Sequence, residues 1–133
     1  MPDLDGLRRY TYDKDAWFCS EFDGCDVCRG VPLHERLAPF LRGLADAWQR
    51  QRPGARLWWE PWELSAGQSL ATIHRLEGAP IGLMLHSNIR EVISVDPADT
   101  FVRNAARTAE TAGLPVVLEA FLSSSNGVVQ PWR

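Results

Sequence analysis

A chain of 133 residues with a formal charge of −3 is one domain long and mildly acidic. It is long enough to bury a core and lacks the basic balance a nucleic-acid binder needs. Hydrophobic residues at 45% and charged residues at 23% are globular values, which excludes a disordered chain. No apolar run approaches the ~20 residues that cross a bilayer, and Met1-Pro2-Asp3-Leu4-Asp5 has neither a basic nor an apolar leader character. Three cysteines, an odd number, do not make a disulfide scaffold. The expectation is a cytoplasmic protein with no membrane and no nucleic-acid partner.

Residues 1 to 31 read as a strand end followed by a long loop, with the cysteines on a stretch spanning 13–31. A helix then starts at Pro32, a residue suited to a first helical turn. Leu33, Leu37, Phe40, Leu41, Leu44, Ala45 and Trp48 form its apolar stripe, and Arg50-Gln51-Arg52-Pro53-Gly54 ends it. Ala55 to Glu60 is a short aromatic strand stopped by Pro61. Ser65 is an N-cap for a helix through Leu76, closed by Gly78. Ile81 to His86 is a nearly continuous apolar strand, the pattern of one buried on both faces.

Glu91 to Val95 has strand character but follows His86 too closely to be a parallel neighbour, because that crossover needs about a dozen residues. Asp96-Pro97 opens a helix through Phe101, Val102, Ala105, Ala106, Ala109 and Ala112, ended by Gly113. Pro115 to Phe121 is a further strand, and Ser123 to Gly127 is loop. The alternation predicts an α/β fold, a parallel β/α repeat. A full (β/α)8 barrel needs ~250 residues, so the chain is either a small open sheet with helices or, the favoured expectation, part of such a barrel, whose uncovered sheet edges would favour self-association.

In parallel β/α proteins the carboxyl ends of the strands face the ligand. Here those ends read Trp59-Glu60-Pro61-Trp62-Glu63, then His86-Ser87-Asn88, then Glu119-Ala120-Phe121. Glu and His transfer protons, Asn hydrogen-bonds hydroxyls, and an indole face can stack on a sugar ring. Glycoside hydrolysis needs two carboxylates. Glu63 is the expected acid/base and Glu119 the second carboxylate, with Glu60 the alternative to Glu63. Trp59, Trp62, His86 and Asn88 are the expected substrate-binding residues.

A second constellation is Cys19-x5-Cys25-x2-Cys28 with His34 six residues on. Three thiolates and an imidazole can close a tetrahedral structural zinc site; a loop with free thiols, or with one disulfide and a spare thiol, is the alternative. No glycine-rich phosphate cradle is present, so no phosphate cofactor is expected.

Cys25-Asp26-Val27-Cys28-Arg29-Gly30 before a long helix, then Pro53-Gly54-Ala55-Arg56-Leu57-Trp58-Trp59-Glu60-Pro61-Trp62-Glu63, resembles the middle of certain bacterial glycoside hydrolase-like (β/α)8 proteins. The resemblance covers roughly residues 15 to 65 and implies a sugar-processing barrel acting on a carbohydrate ligand. Two other functions fit the residues: a non-catalytic carbohydrate-binding or structural module, and a zinc-stabilised interaction domain.

Overall fold

The computed structural model describes residues 6–10, 19, 25–61, 64–88 and 100–121. Four strands alternate with three helices: β1 (Gly6–Tyr10), α1 (Leu33–Gln51), β2 (Arg56–Glu60), α2 (Ala66–Arg75), β3 (Ile81–Asn88), α3 (Thr100–Thr111) and β4 (Val116–Phe121). All neighbouring strands are parallel and follow chain order, β1-β2-β3-β4. This is the predicted α/β alternation. The strand-like stretch 91–95, the helix opening at Asp96-Pro97 and the loop Ser123–Gly127 lie outside the described residues.

Sequential strand order has a direct consequence. Each crossover steps in the same direction, and such connections are right-handed, so the helices gather on one face of the sheet. The buried side chains agree: Leu57 and Trp59 of β2 and Ile81, Leu83 and Leu85 of β3 form one cluster with Leu33, Leu37 and Leu41 of α1, Ile73 of α2 and Ala105 and Ala109 of α3. Because strand side chains alternate between faces, the partners Arg8, Trp58, Glu60, Met84, His86 and Glu119 stand on the opposite, helix-free face.

The local signals are those that end helices in water. Ser65 accepts from the Gln68 N–H while the Gln68 side chain accepts from the Ser65 N–H, a reciprocal cap at the start of α2. Gly54, Gly78 and Gly113 follow the three helices with φ between +71° and +89°, the left-handed conformation that favours glycine.

Two expectations are corrected. Phe40 is 43% exposed, because Ala38 takes the inward position of α1. The β4 strand is an edge of the described sheet, with Val116, Val117 and Leu118 all exposed, so Glu119 does not end a buried apolar strand. The β3 strand comes closest to the pattern expected, with Ile81, Gly82, Leu83 and Leu85 buried.

Gly82 is there for a neighbour. A Cβ at this position would run into Cε3 and Cζ3 of Trp58, and one at Gly6 would lie 3.2 Å from Trp58 Cδ1. The Trp58 indole therefore lies flat on the helix-free face, across the glycines of both adjoining strands. Replacing Gly82→Ala should destabilise the fold by ~1–3 kcal/mol through overpacking. A shift in urea midpoint measures this, and Trp58→Leu in the same chain should recover most of the loss.

Candidate functional site

The predicted rim divides by strand parity. Trp59 is 0% exposed and packed among the helices, so its ring has no open face for a sugar; the pleat turns it to the core because Leu57 is already there. Glu60, one residue on, faces the other way. Glu63 and Trp62 lie outside the described residues, and Asn88 is placed only by its backbone, opposite Phe121.

On the helix-free face, Glu60, His86 and Glu119 do come together. One side-chain donor atom from each lies within 4.8 Å of the other two. His86 Nδ1 is 3.8 Å from Glu60 Oε1 and 3.7 Å from Glu119 Oε2. The residue that organises them is Arg8, which sequence reading overlooked. Its Nη1 and Nη2 donate to the two oxygens of Glu119 at 2.9 and 2.7 Å, a bidentate fork. Its Nε donates to Glu60 Oε2 at 3.0 Å, with Nη2 2.7 Å from the same oxygen.

The electrostatics differ between the two carboxylates. Burial pushes the Glu60 carboxyl above its ordinary range, opposed by the charge of Arg8. Hydrogen bonding to Arg8 holds Glu119 below the ordinary range. One guanidinium faces two carboxylates, with the His86 imidazole beside them. Both expected catalytic glutamates described here are thus engaged by the same cation. The signal for Arg8 was available: in Gly6-Leu7-Arg8-Arg9-Tyr10 it alternates with Leu7, whose side of the strand joins the core.

The second cluster is sulfur. Cys19, Cys25 and Cys28 place their sulfurs within 4.8 Å of one another. The Cys25–Cys28 segment is a helical turn, with Cys28 and Arg29 N–H groups donating to the Cys25 carbonyl at 3.2 and 2.9 Å. Gly30, at φ +75°, follows it. The turn sets two sulfurs on one side, and Arg36 of α1 donates to the Cys19 carbonyl at 2.6 Å, tying the third to the same region. Backbone N–H groups of Val27 and Cys28 bond to the Cys25 sulfur and hold its pKa below the ordinary thiol value. The Cys19 thiol is pushed up by its neighbouring sulfurs. His34, second in α1, does not belong to this group; the predicted four-ligand set reduces to three cysteine sulfurs among the described residues.

Three soft donors suit a thiophilic metal such as zinc or iron in an iron–sulfur cluster. The Glu60–His86–Glu119 group offers harder donors, but Arg8 already sits against both carboxylates. Among the described residues no helix is long and apolar enough to cross a membrane.

Arg8→Gln should lower stability by ~2–3 kcal/mol at neutral pH, because Glu60 is left charged and buried. The pH dependence has a defined sign. The depressed Glu119 contributes stability above the ordinary carboxylate pKa that is lost as pH falls through its lower folded value, whereas protonation relieves the buried Glu60. The gap between Arg8→Gln and the parent chain should therefore shrink as pH falls through the carboxylate range, with Glu60 taking up its proton above the ordinary glutamate value and Glu119 below it. Urea midpoints at neutral and acid pH measure it.

No protein-family model matches the chain, and no curated protein or solved structure shows significant similarity to it.

Proposed function

We propose that the chain is part of a β/α-barrel metalloenzyme whose three cysteines hold an iron–sulfur cluster at the carboxyl-end mouth of the sheet. The observation that carries this reading is the convergence of the Cys19, Cys25 and Cys28 sulfurs. The cysteines lie on the connection after β1, at the end of the sheet where parallel β/α proteins bind ligands. Three protein thiolates leave one coordination position for a ligand. An iron–sulfur cluster spreads the thiolate charge over several irons. A single zinc bound by three thiolates is charge-rich and therefore a weaker Lewis acid.

The barrel part of the reading rests on stagger. Arg8 is level with Trp58, and Trp58 with Gly82. The polar layer nevertheless consists of Arg8, then Glu60 two residues further along, then His86 four residues further, with Glu119 opposite His86. A closed eight-stranded barrel with a shear of 8 advances about one residue per strand. A layer that climbs four residues over three strand steps suits the tilt of such a barrel, and closure would cover the edges formed by β1 and β4.

Sugar cleavage is the weaker reading. Oxygens of Glu60 and Glu119 approach the ~5–5.5 Å separation of a retaining pair. However, Arg8 engages both carboxylates, and Trp59 presents no platform.

The chain purified without oxygen should contain iron and acid-labile sulfide in equal amounts and absorb visible light through sulfur-to-iron charge transfer. Cys25→Ser should lose both signals. Equimolar zinc in place of iron would move the site to zinc, and absence of both metals overturns the reading.

A further inference from the structure

The described sheet ends at β1 on one side and at β4 on the other. On β4, Val116, Val117 and Leu118 are 37%, 38% and 54% exposed. Consecutive strand residues point to opposite faces, so β4 is uncovered on its helix side and on its inner side alike. Its outer edge meets no other strand among the described residues. An apolar edge of this kind is a template for a further strand.

We propose that a second copy of the chain closes the sheet. The β4 strand of each copy pairs in parallel with β1 of the other, giving an eight-stranded β/α barrel with a twofold axis along its centre. The inference rests on the barrel part of the reading above and names what completes it. Four parallel strands in chain order, with their helices on one face, are half of such a barrel in number and in direction.

Register decides whether two such halves can join. Arg8 is level with Trp58, and Trp58 with Gly82. Leu83 is level with Val116, and its N–H donates to the Pro115 carbonyl at 2.8 Å, so Gly82 falls level with Pro115. An eight-stranded barrel has a shear of about 8, which twofold symmetry divides into four residues per copy. Four residues on from Pro115, in the direction in which the polar layer climbs, is Glu119. Closure therefore sets the partner's Arg8 level with Glu119, and residues 6–10 of the partner's β1 lie along residues 117–121 of β4. Both stretches are already extended strand.

The side chains match at that seam. A stagger of four is even, so helix side meets helix side. Leu118, the most exposed of the three apolar residues, falls beside the partner's Leu7. Glu119 falls beside the partner's Arg8 on the inner face, at a strand spacing of ~4.8 Å. The Arg8–Glu119 bonds within each copy stay as they are. A twofold antiparallel seam between two β4 strands is the poorer solution. It leaves β1 open and sets the two Glu119 side chains opposite or diagonal to each other, like charge against like.

The test is sedimentation equilibrium of the full chain purified without oxygen. A mass of twice 14.9 kDa is expected. Leu118→Lys, at an exposed position, should keep the far-ultraviolet circular dichroism and weaken the dimer about tenfold. A benzoylphenylalanine photo-crosslinker in place of Leu118 reads the register, and the crosslinked dimer should carry its adduct on residues 6–10 of the partner. A monomeric parent chain, a dimer that Leu118→Lys leaves unchanged, or an adduct on the partner's β4 would overturn the proposal. Cys25→Ser should lose iron and keep the dimer mass. A dimer without iron thus defeats the metal centre alone, and a monomer holding iron defeats the closure alone.

Discussion

The ion pairs of Arg8 impose the shape on which everything else depends. Arg8 lies on the first strand and Glu119 on the fourth, four residues further along the register. On a flat sheet their backbones would be ~14 Å apart sideways and ~13 Å along the strands, beyond what two side chains and a hydrogen bond can span. Their contact at 2.7 and 2.9 Å requires a twisted, concave sheet. Arg8 thereby links the two edge strands of the described sheet over a central polar layer, and it offsets the charge of Glu60, which is 1% exposed. A buried carboxylate without a partner is costly, so the cluster and the curvature support each other.

The two faces of this sheet perform different tasks, and β2 shows the division in adjacent residues. Trp59 points to the helices and fills the core. Trp58 points away from them and lies across Gly6 and Gly82, with the Arg56 guanidinium 5.7 Å from its ring centroid. The indole occupies the level below the polar layer and forms a floor to the concave face. Bulk on one side and glycine on the other are matched across three strands, a complementarity that no single strand specifies.

The cysteines complete the arrangement at the opposite end from that floor. A tight turn presents two sulfurs, and Arg36 draws the third toward them from α1. The sulfurs and the charged layer are two separate groups, one on the connection after β1 and one across the four strands.

The order of helices and strands was legible because each element carries local chemistry. Prolines and serine open helices, glycines at positive φ close them, and apolar spacing of 3.6 or 2 assigns the faces. The convergence of Glu60, His86 and Glu119 was also visible, since parallel strands present their carboxyl ends on one side. The roles of these residues were not visible. Which of Trp58 and Trp59 is buried depends on the pleat phase of β2 against helices distant in sequence. That Arg8 holds the two glutamates depends on curvature, which arises from all four strands together. The separation of His34 from the sulfurs is likewise a property of where α1 packs. Local sequence determined the elements and the donor atoms; tertiary structure decided which donors meet, because side-chain charges 52 and 111 residues apart become neighbours only when the sheet curls.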